Sequence, residues 1–428
     1  MGKAAFKAEA ARSSGIHGAR YLIAGAPRLA RVWEFAAFGL DDERCEARSN
    51  DATAGAAPMK ITRIRVFRKD LRYATGAYAW GRGHVVETAG STVVTIDTDA
   101  GISGSGEFCP CGNAYVEAHE EGTEATARLL APVLLGEDPR QVARIERIMD
   151  HAVRGHGYAK TPFDMACWDI LGKATEQPVW MLLGGKLTDG APLYRVAPQK
   201  APEEMVAEMD LIRRRGYRHF QIKVGADWRA DIERIHATVP ALKPGERAMA
   251  DANQGWHVDE AVNVARATRD LDYIMEQPCQ TYEECLQVRR IIDRPMKLDE
   301  CITDMAMAQR VVADRSAEYV CLKVSKQGGL SKARRMRDFL LDNRVPVVSE
   351  DAWGGEITTA AVAHFAASTP ADFLLNTTDL HNYNTGTTGT PAPETRDGKL
   401  FASDTPGLGV EPDLESLGEP VAVYGDVS

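Results

Sequence analysis

From about Ala191 onward, short apolar or β-branched runs alternate with longer segments that mix polar and apolar positions. The runs are Leu193–Val196, Phe220–Val224, Ala248–Asp251, Tyr273–Glu276, Met296–Asp299, Tyr319–Lys323, Val347–Glu350 and Phe373–Asn376. Their length and composition predict strands, while spacers such as Asp259–Thr268 and Leu330–Leu341 are of helix size. Eight such strands joined by helices predict a parallel β/α barrel.

Upstream the rhythm differs. An alternating run begins at Met59 and continues through Phe67, a second covers Thr92–Thr98, and Gly101 to Gly106 supply turns. Tyr158–Gly172 predicts an amphipathic helix with Phe163, Ala166, Cys167 and Ile170 on one face. This pattern predicts a separate α+β domain over residues 59–188, with the barrel over 189–395 and a closing segment over 396–428. Residues 1–58 are rich in Ala and Arg and lack this alternation, so they are expected to be a poorly ordered extension, with Met59 as an alternative start. The acidic residues Glu9, Glu34, Asp41, Asp42 and Glu43 are unlike a transit peptide, and no signal-peptide core is present.

Composition narrows the function classes. A formal charge of -10 argues against a nucleic-acid partner, since no broad excess of Lys and Arg is available for phosphates. No apolar run reaches the roughly 18–20 residues of a membrane-spanning helix. The eight cysteines are scattered, with Cys109-Pro-Cys111 the one close pair, so they are expected to be reduced thiols in a cytoplasmic protein.

The charged residues carry the chemistry. Successive strands end in Lys223, Asp251, Glu276, Asp299, Lys323 and then Glu350 or Asp351, at spacings of 28, 25, 23, 24 and 27 residues as far as Glu350. Each spacing is one strand–helix unit, so these residues are expected to ring the C-terminal mouth of the barrel, where active sites of this fold lie. Asp251, Glu276 and Asp299 on adjacent strands would repel unless a cation lay between them, and an all-oxygen set suits Mg²⁺, with Mn²⁺ as the alternative. Lys223 and Lys323 flank that set, and a lysine near a bound cation loses basicity, so a neutral amine becomes available as a base. The competing arrangement, in which each lysine simply pairs with a carboxylate, would bury four charges for no evident structural gain.

These motifs resemble the enolase superfamily, in its mandelate racemase/muconate lactonizing branch with two catalytic lysines. The resemblance rests on Ala159–Lys173, on Leu182-Leu183-Gly184-Gly185, and on Asp251-Ala252-Asn253, Glu276-Gln277-Pro278, Asp299-Glu300 and Lys323–Gly329 in that order, and spans about residues 59–415. It implies a modified (β/α)7β barrel with an N-terminal α+β capping domain, to which the C-terminal segment returns. It further implies Asp251, Glu276 and Asp299 as Mg²⁺ ligands, Lys223 and Lys323 as the acid/base pair, and an enediolate formed when the α-proton of a carboxylate leaves. The partner is then a small amino-acid-like carboxylate, and relatives commonly form even-numbered homo-oligomers. Two departures stand out. Gln221 occupies a position where many relatives carry a further lysine, and Thr161-Pro162 replaces small residues, which predicts a later helix start.

Gln221–Gly225, Cys109–Tyr115 and Glu350–Gly355 resemble the subgroup acting on proline derivatives, which includes cis-3-hydroxy-L-proline dehydratases and hydroxyproline-betaine epimerases. The expected substrate contacts are Tyr115, Gln221, Asp351, Trp353 and Asp379. Aromatic faces hold quaternary ammonium groups. The eighth strand ends Asn376-Thr377-Thr378-Asp379 with no aromatic residue, which favours an N–H-bearing ring ammonium and hence dehydration, although Trp353 or Trp256 could supply a face. Epimerisation is the alternative, and a metal-binding scaffold without catalysis would leave both lysines unused.

Overall fold

Alternate residues of the barrel strands point to different chemical worlds. In the second barrel strand, His219–Lys223, Phe220 and Ile222 join the apolar shell under the outer helices, while Gln221 and Lys223 lie on the other face. The same parity places Ala248, Ala250, Met275, Met296, Leu298, Val320 and Leu322 in that shell. It leaves Asp251, Glu276, Lys297, Asp299 and Lys323 on the interior face. Apolar packing therefore fixes the register, and a slip of one residue would exchange the two sets.

A computed structural model describes residues 58–425 of the chain. The expectation of a disordered extension concerns residues outside those described. The eight barrel strands are Tyr194–Ala197, His219–Lys223, Arg247–Asp251, Ile274–Glu276, Met296–Leu298, Tyr319–Lys323, Val347–Glu350 and Leu374–Thr377, hydrogen-bonded in chain order. All pair in parallel, and a Leu193–Thr377 bridge nearly closes the barrel between the last strand and the first. Seven helical crossovers join them. The register sets Lys223 opposite Asp251, Asp251 opposite Glu276, and Lys323 opposite Glu350.

The N-terminal part of the described chain forms a four-stranded antiparallel sheet, ordered Ala422–Gly425, Ile61–Arg72, Thr88–Thr98, Ser103–Phe108. The helix Gly157–Ala174 lies between this sheet and the barrel. Phe163, Ala166, Cys167 and Ile170 pack into the sheet's core, whereas Met165 and Trp168 pack into the barrel's. The helix is thus buried on both sides rather than amphipathic. Two glycines permit the close approach: a Cβ at Gly104 would lie 2.3 Å from Ala166 O, and one at Gly106 would lie 2.0 Å from Pro162 O.

This helix corrects the expected late start, because it begins at Gly157 and runs through Pro162. A proline so near the N-terminus removes one intrahelical bond, that to Tyr158 O. The hydroxyl of the preceding residue, Thr161 Oγ1, lies 3.1 Å from both Gly157 O and Ser325 O and ties the helix to the loop after Lys323. Trp168 Nε1 donates to Ser331 Oγ at 2.9 Å and strengthens that tie. All seven described cysteines are free, and no helix among the described residues is long and apolar enough to cross a membrane.

His364, on the helix Glu356–Ala367, pins the segment near the C-terminus. Its Nδ1 accepts from Trp180 N and its Nε2 donates to Leu408 O, each at 3.0 Å, which fixes a neutral ring. Burial pulls its pKa down from 6.5 to about 4. A depressed histidine pKa stabilises the fold above the unfolded value, and that stability is lost as pH falls from 6.5 toward 4. We expect His364→Gln to flatten the fall in Tm across this window, the wild-type loss being on the order of 3 kcal/mol. Thermal melts of both proteins at intervals of pH check this.

Candidate active site

Strand ends in register bring the charged residues together at the barrel mouth. Lys223 Nζ lies 2.5 Å from Asp251 Oδ2 and donates to Asn253 Oδ1 at 2.9 Å. Lys323 Nζ lies 2.6 and 2.7 Å from the two oxygens of Asp299. Gln221 Nε2 donates to Glu276 Oε2 at 3.0 Å, and Lys326 Nζ donates to Asp299 O at 2.5 Å. Each flanking lysine thus pairs with a carboxylate. Correspondingly, neither is depressed. Burial disfavours both ammonium charges, but Asp251 around Lys223 and Asp299 around Lys323 outweigh it and hold both lysines well above their ordinary value.

Asp251, Glu276, Asp299, Glu350 and Asp351 are each no more than 4 % exposed, and so are Lys223, Lys297 and Lys323. These five buried carboxylates outnumber the three buried ammonium groups, with Lys326 adding one more at the edge on Asp299, an excess of negative charge that a divalent cation would offset. The strain shows in the acids. Burial, then repulsion from Asp251, pushes Glu276 up to about 7. Burial, then Asp299, pushes the neighbouring Glu300 up to about 8. Glu276 Oε1 receives no hydrogen bond of good geometry, only an ion pair with Lys297 Nζ at 2.7 Å. An all-oxygen set of hard donors with this charge deficit fits Mg²⁺. Among the described residues, Asp299, Cys321 and Glu350 have potential ligand atoms within 4.8 Å of one another, but Lys323 Nζ already contacts all three.

A small cavity of about 30 Å³ lies above these groups. Gln221, Lys223, Tyr115, Asp351 and Trp353, five of the residues singled out in the sequence, line it. Lys323, Asp251, Glu276 and Asp299 do not line it. Tyr115 covers them in part: its hydroxyl donates to Asp299 Oδ2 at 3.0 Å and its ring centroid is 5.3 Å from Lys323 Nζ. Asp351 faces the cavity, yet its oxygens accept from Ser325 N, Ser325 Oγ and Ala352 N, so it orders the loops after the sixth and seventh strands.

Asp379 is a correction. It is fully buried outside the cavity lining, accepting from Tyr217 OH at 2.6 Å, Asn382 Nδ2 at 2.8 Å and Arg195 at 3.3 Å. Those three donors occupy it, which removes it as the partner of a ring ammonium. Trp256 is another, since it lies in the barrel's outer core with Nε1 on Asp231. The aromatic surface comes from the capping region: Tyr78 and Trp80 of a short hairpin stack at 5.5 Å, Tyr78 faces Trp353, and all three line the cavity. The aromatic wall missing at the eighth strand end is therefore supplied from elsewhere.

Sequence reasoning also missed Lys297, Cys321 and Tyr194. Lys297 Nζ lies 2.7 Å from Glu276 and 3.4 Å from Glu350, and Glu350 accepts from Tyr194 OH at 2.5 Å and Cys321 Sγ at 2.6 Å. A signal existed for two of them. Lys297 and Cys321 stand two positions before Asp299 and Lys323, hence on the same interior face.

Comparison with known proteins agrees with this geometry. Residues 81–184 match the family model of the mandelate racemase / muconate lactonizing enzyme N-terminal domain, and residues 204–417 match the enolase C-terminal domain-like model. The chain belongs to the enolase superfamily, in its mandelate racemase/muconate lactonizing branch. Among members of the superfamily, it is 47% identical over 366 residues to a cis-3-hydroxy-L-proline dehydratase of Roseibium aggregatum, covering 86% of this chain and 100% of that one. It also resembles a crystal structure of a mandelate racemase/muconate lactonizing enzyme from Roseovarius nubinhibens, at 66% identity and TM-score 0.84, covering 86% of this chain and 99% of that one. A further superfamily member from the same organism, complexed with magnesium, is 37% identical at TM-score 0.82, covering 86% of this chain and all of the other.

Lys297 offers a direct check on the charge network. Removing it leaves Glu276 and Glu350 facing each other without their shared cation. Lys297→Met should lower stability by about 3–5 kcal/mol, as loss of one partner of a buried pair does. Denaturant unfolding without metal measures it, and a loss under 1 kcal/mol would mean that the pair contributes little.

Proposed function

We propose that the chain dehydrates cis-3-hydroxy-L-proline to Δ1-pyrroline-2-carboxylate. One observation carries the reading: Lys223 and Lys323 end the second and sixth of eight strands, across the mouth from each other, with three carboxylates on the strands between. Asp251, Glu276 and Asp299 would hold the metal, Mg²⁺ in the first instance and Mn²⁺ as the alternative. When bound, it supplies Lewis-acid stabilisation of the charge that develops on the substrate carboxylate as the α-proton leaves.

The side chains supply the rest. With those carboxylates engaged by the cation, Lys223 and Lys323 would be held less strongly as ammonium groups, and one of them would serve as the base. In cis-3-hydroxy-L-proline the α-hydrogen and the 3-hydroxyl lie on opposite ring faces. One lysine takes the proton from one face, and the other, as ammonium, protonates the departing hydroxyl on the opposite face. The enamine so formed tautomerises to the cyclic imine. Gln221 holds Glu276, Tyr115 covers Lys323, and Trp353 with Tyr78 and Trp80 walls the ring and its ammonium. The relative from Roseibium aggregatum, whose name states this activity, supports the substrate choice.

The same aromatic wall favours a second reading, epimerisation of an N-methylated proline carboxylate, in which the second lysine returns a proton to the other face. NMR of the protein with Mg²⁺ and cis-3-hydroxy-L-proline in D₂O separates the two. Loss of the ring hydroxyl with growth of the imine is expected. Deuterium at Cα with the skeleton retained would favour the epimerase. An unchanged spectrum would overturn the dehydratase reading.

A further inference from the structure

Glu107 lies on the capping strand Ser103–Phe108 and is fully buried. Four donors lie within hydrogen-bond distance of its carboxylate, one of which, Thr388 Oγ1, is equally 3.2 Å from Glu356 Oε2. Oε1 takes Ser91 Oγ at 2.7 Å and Gly355 N at 2.8 Å, and Oε2 takes Thr358 N at 2.9 Å and Thr388 Oγ1 at 3.2 Å. Two of these donors are backbone amides at the start of the barrel helix Glu356–Ala367, whose orphan N–H groups a carboxylate satisfies well. A capping-region side chain therefore ends a barrel helix. No donor is asked of Glu107, which suits an ionised carboxylate and not an amide.

What this contact holds in place gives it meaning. Gly355 closes the loop that follows the seventh strand and carries Asp351 and Trp353 into the cavity. Two residues beyond Glu107, Cys109 bridges Trp353 backbone to backbone, and the same capping segment continues to Cys111 and Tyr115 on the opposite wall. One side chain thus sets the spacing between two walls of the cavity.

We propose that Glu107 is a positioning residue for the reaction, acting through Trp353 by fixing the seventh-strand loop against the capping loop. The proposal rests on the reading of this cavity as the substrate site. A simple staple between the two parts of the fold would lower stability without touching Trp353 in particular.

Glu107→Gln turns an N–H₂ toward Thr358 N–H or Gly355 N–H and breaks the acceptor set. We expect kcat/KM to fall about tenfold, as misplacement of a positioning surface does. Trp353→Phe and the double variant should then lie within about twofold of each other, because residues acting through one another are non-additive. Acrylamide quenching of Trp353, taken as the difference between proteins with and without Trp353→Phe, should rise about twofold in the Glu107→Gln background. Multiplicative losses in the double variant, or unchanged quenching of Trp353, would overturn the proposal. Should Glu107→Gln fail to fold, Thr388→Val removes one donor and keeps the carboxylate, and the same two readouts apply in the same direction. The quenching arm needs no turnover, so a wild-type protein inactive on cis-3-hydroxy-L-proline would sink the substrate reading while leaving this test intact.

Discussion

Buried negative charge at the barrel mouth is the constraint on which the rest of the structure depends. Carboxylates on consecutive parallel strands cannot avoid one another, because register places Asp251 beside Glu276 and Lys323 beside Glu350. Removing such groups from water is expensive unless opposite charge and hydrogen bonds are close at hand. Lys223, Lys297 and Lys323 supply part of the compensation, and the raised pKa values of Glu276 and Glu300 show that it is incomplete. The lysines that would do the chemistry are thus also structural counter-ions. A metal held by the same oxygens would compete with them, and so would link its binding to the release of a base.

Much of this was legible in the sequence because parallel strands translate spacing into place. Residues ending consecutive strands must meet at one rim. The same logic, extended two residues back along each strand, would have reached Lys297 and Cys321. It could not reach Tyr78 and Trp80, on a hairpin of the capping region, or the partners of Asp379, which include Arg195 on the first strand across the seam of the barrel. Asp379 stands where a strand-end rule expects a ligand contact, yet the chain turns its carboxylate toward Arg195 and Tyr217. Pro162 misled for a different reason. Its cost is one intrahelical bond, and burial on both faces of the Gly157–Ala174 helix outweighs it.

The barrel and the capping region share the work at the cavity. The barrel brings charge, fixed by sheet register. The capping region brings aromatic surface and a lid, in Tyr78, Trp80 and Tyr115. Close contacts such as Gly106 against Pro162, and Glu107 against the helix at Gly355, make the position of one depend on the other. Specificity would then reside in how these loops are seated, while the proton chemistry resides in the strands.

The claim that lysines and metal compete for the same carboxylates has a thermodynamic signature. Calorimetric titration of Mg²⁺ at pH 7 in buffers of different ionisation enthalpy counts the protons exchanged on binding. With burial and Asp251 holding Glu276 above its ordinary value in the free site, and both lysines held as ammonium by the same carboxylates, binding should release protons. Heats that do not vary with the buffer would mean that no proton leaves, and would contradict the account.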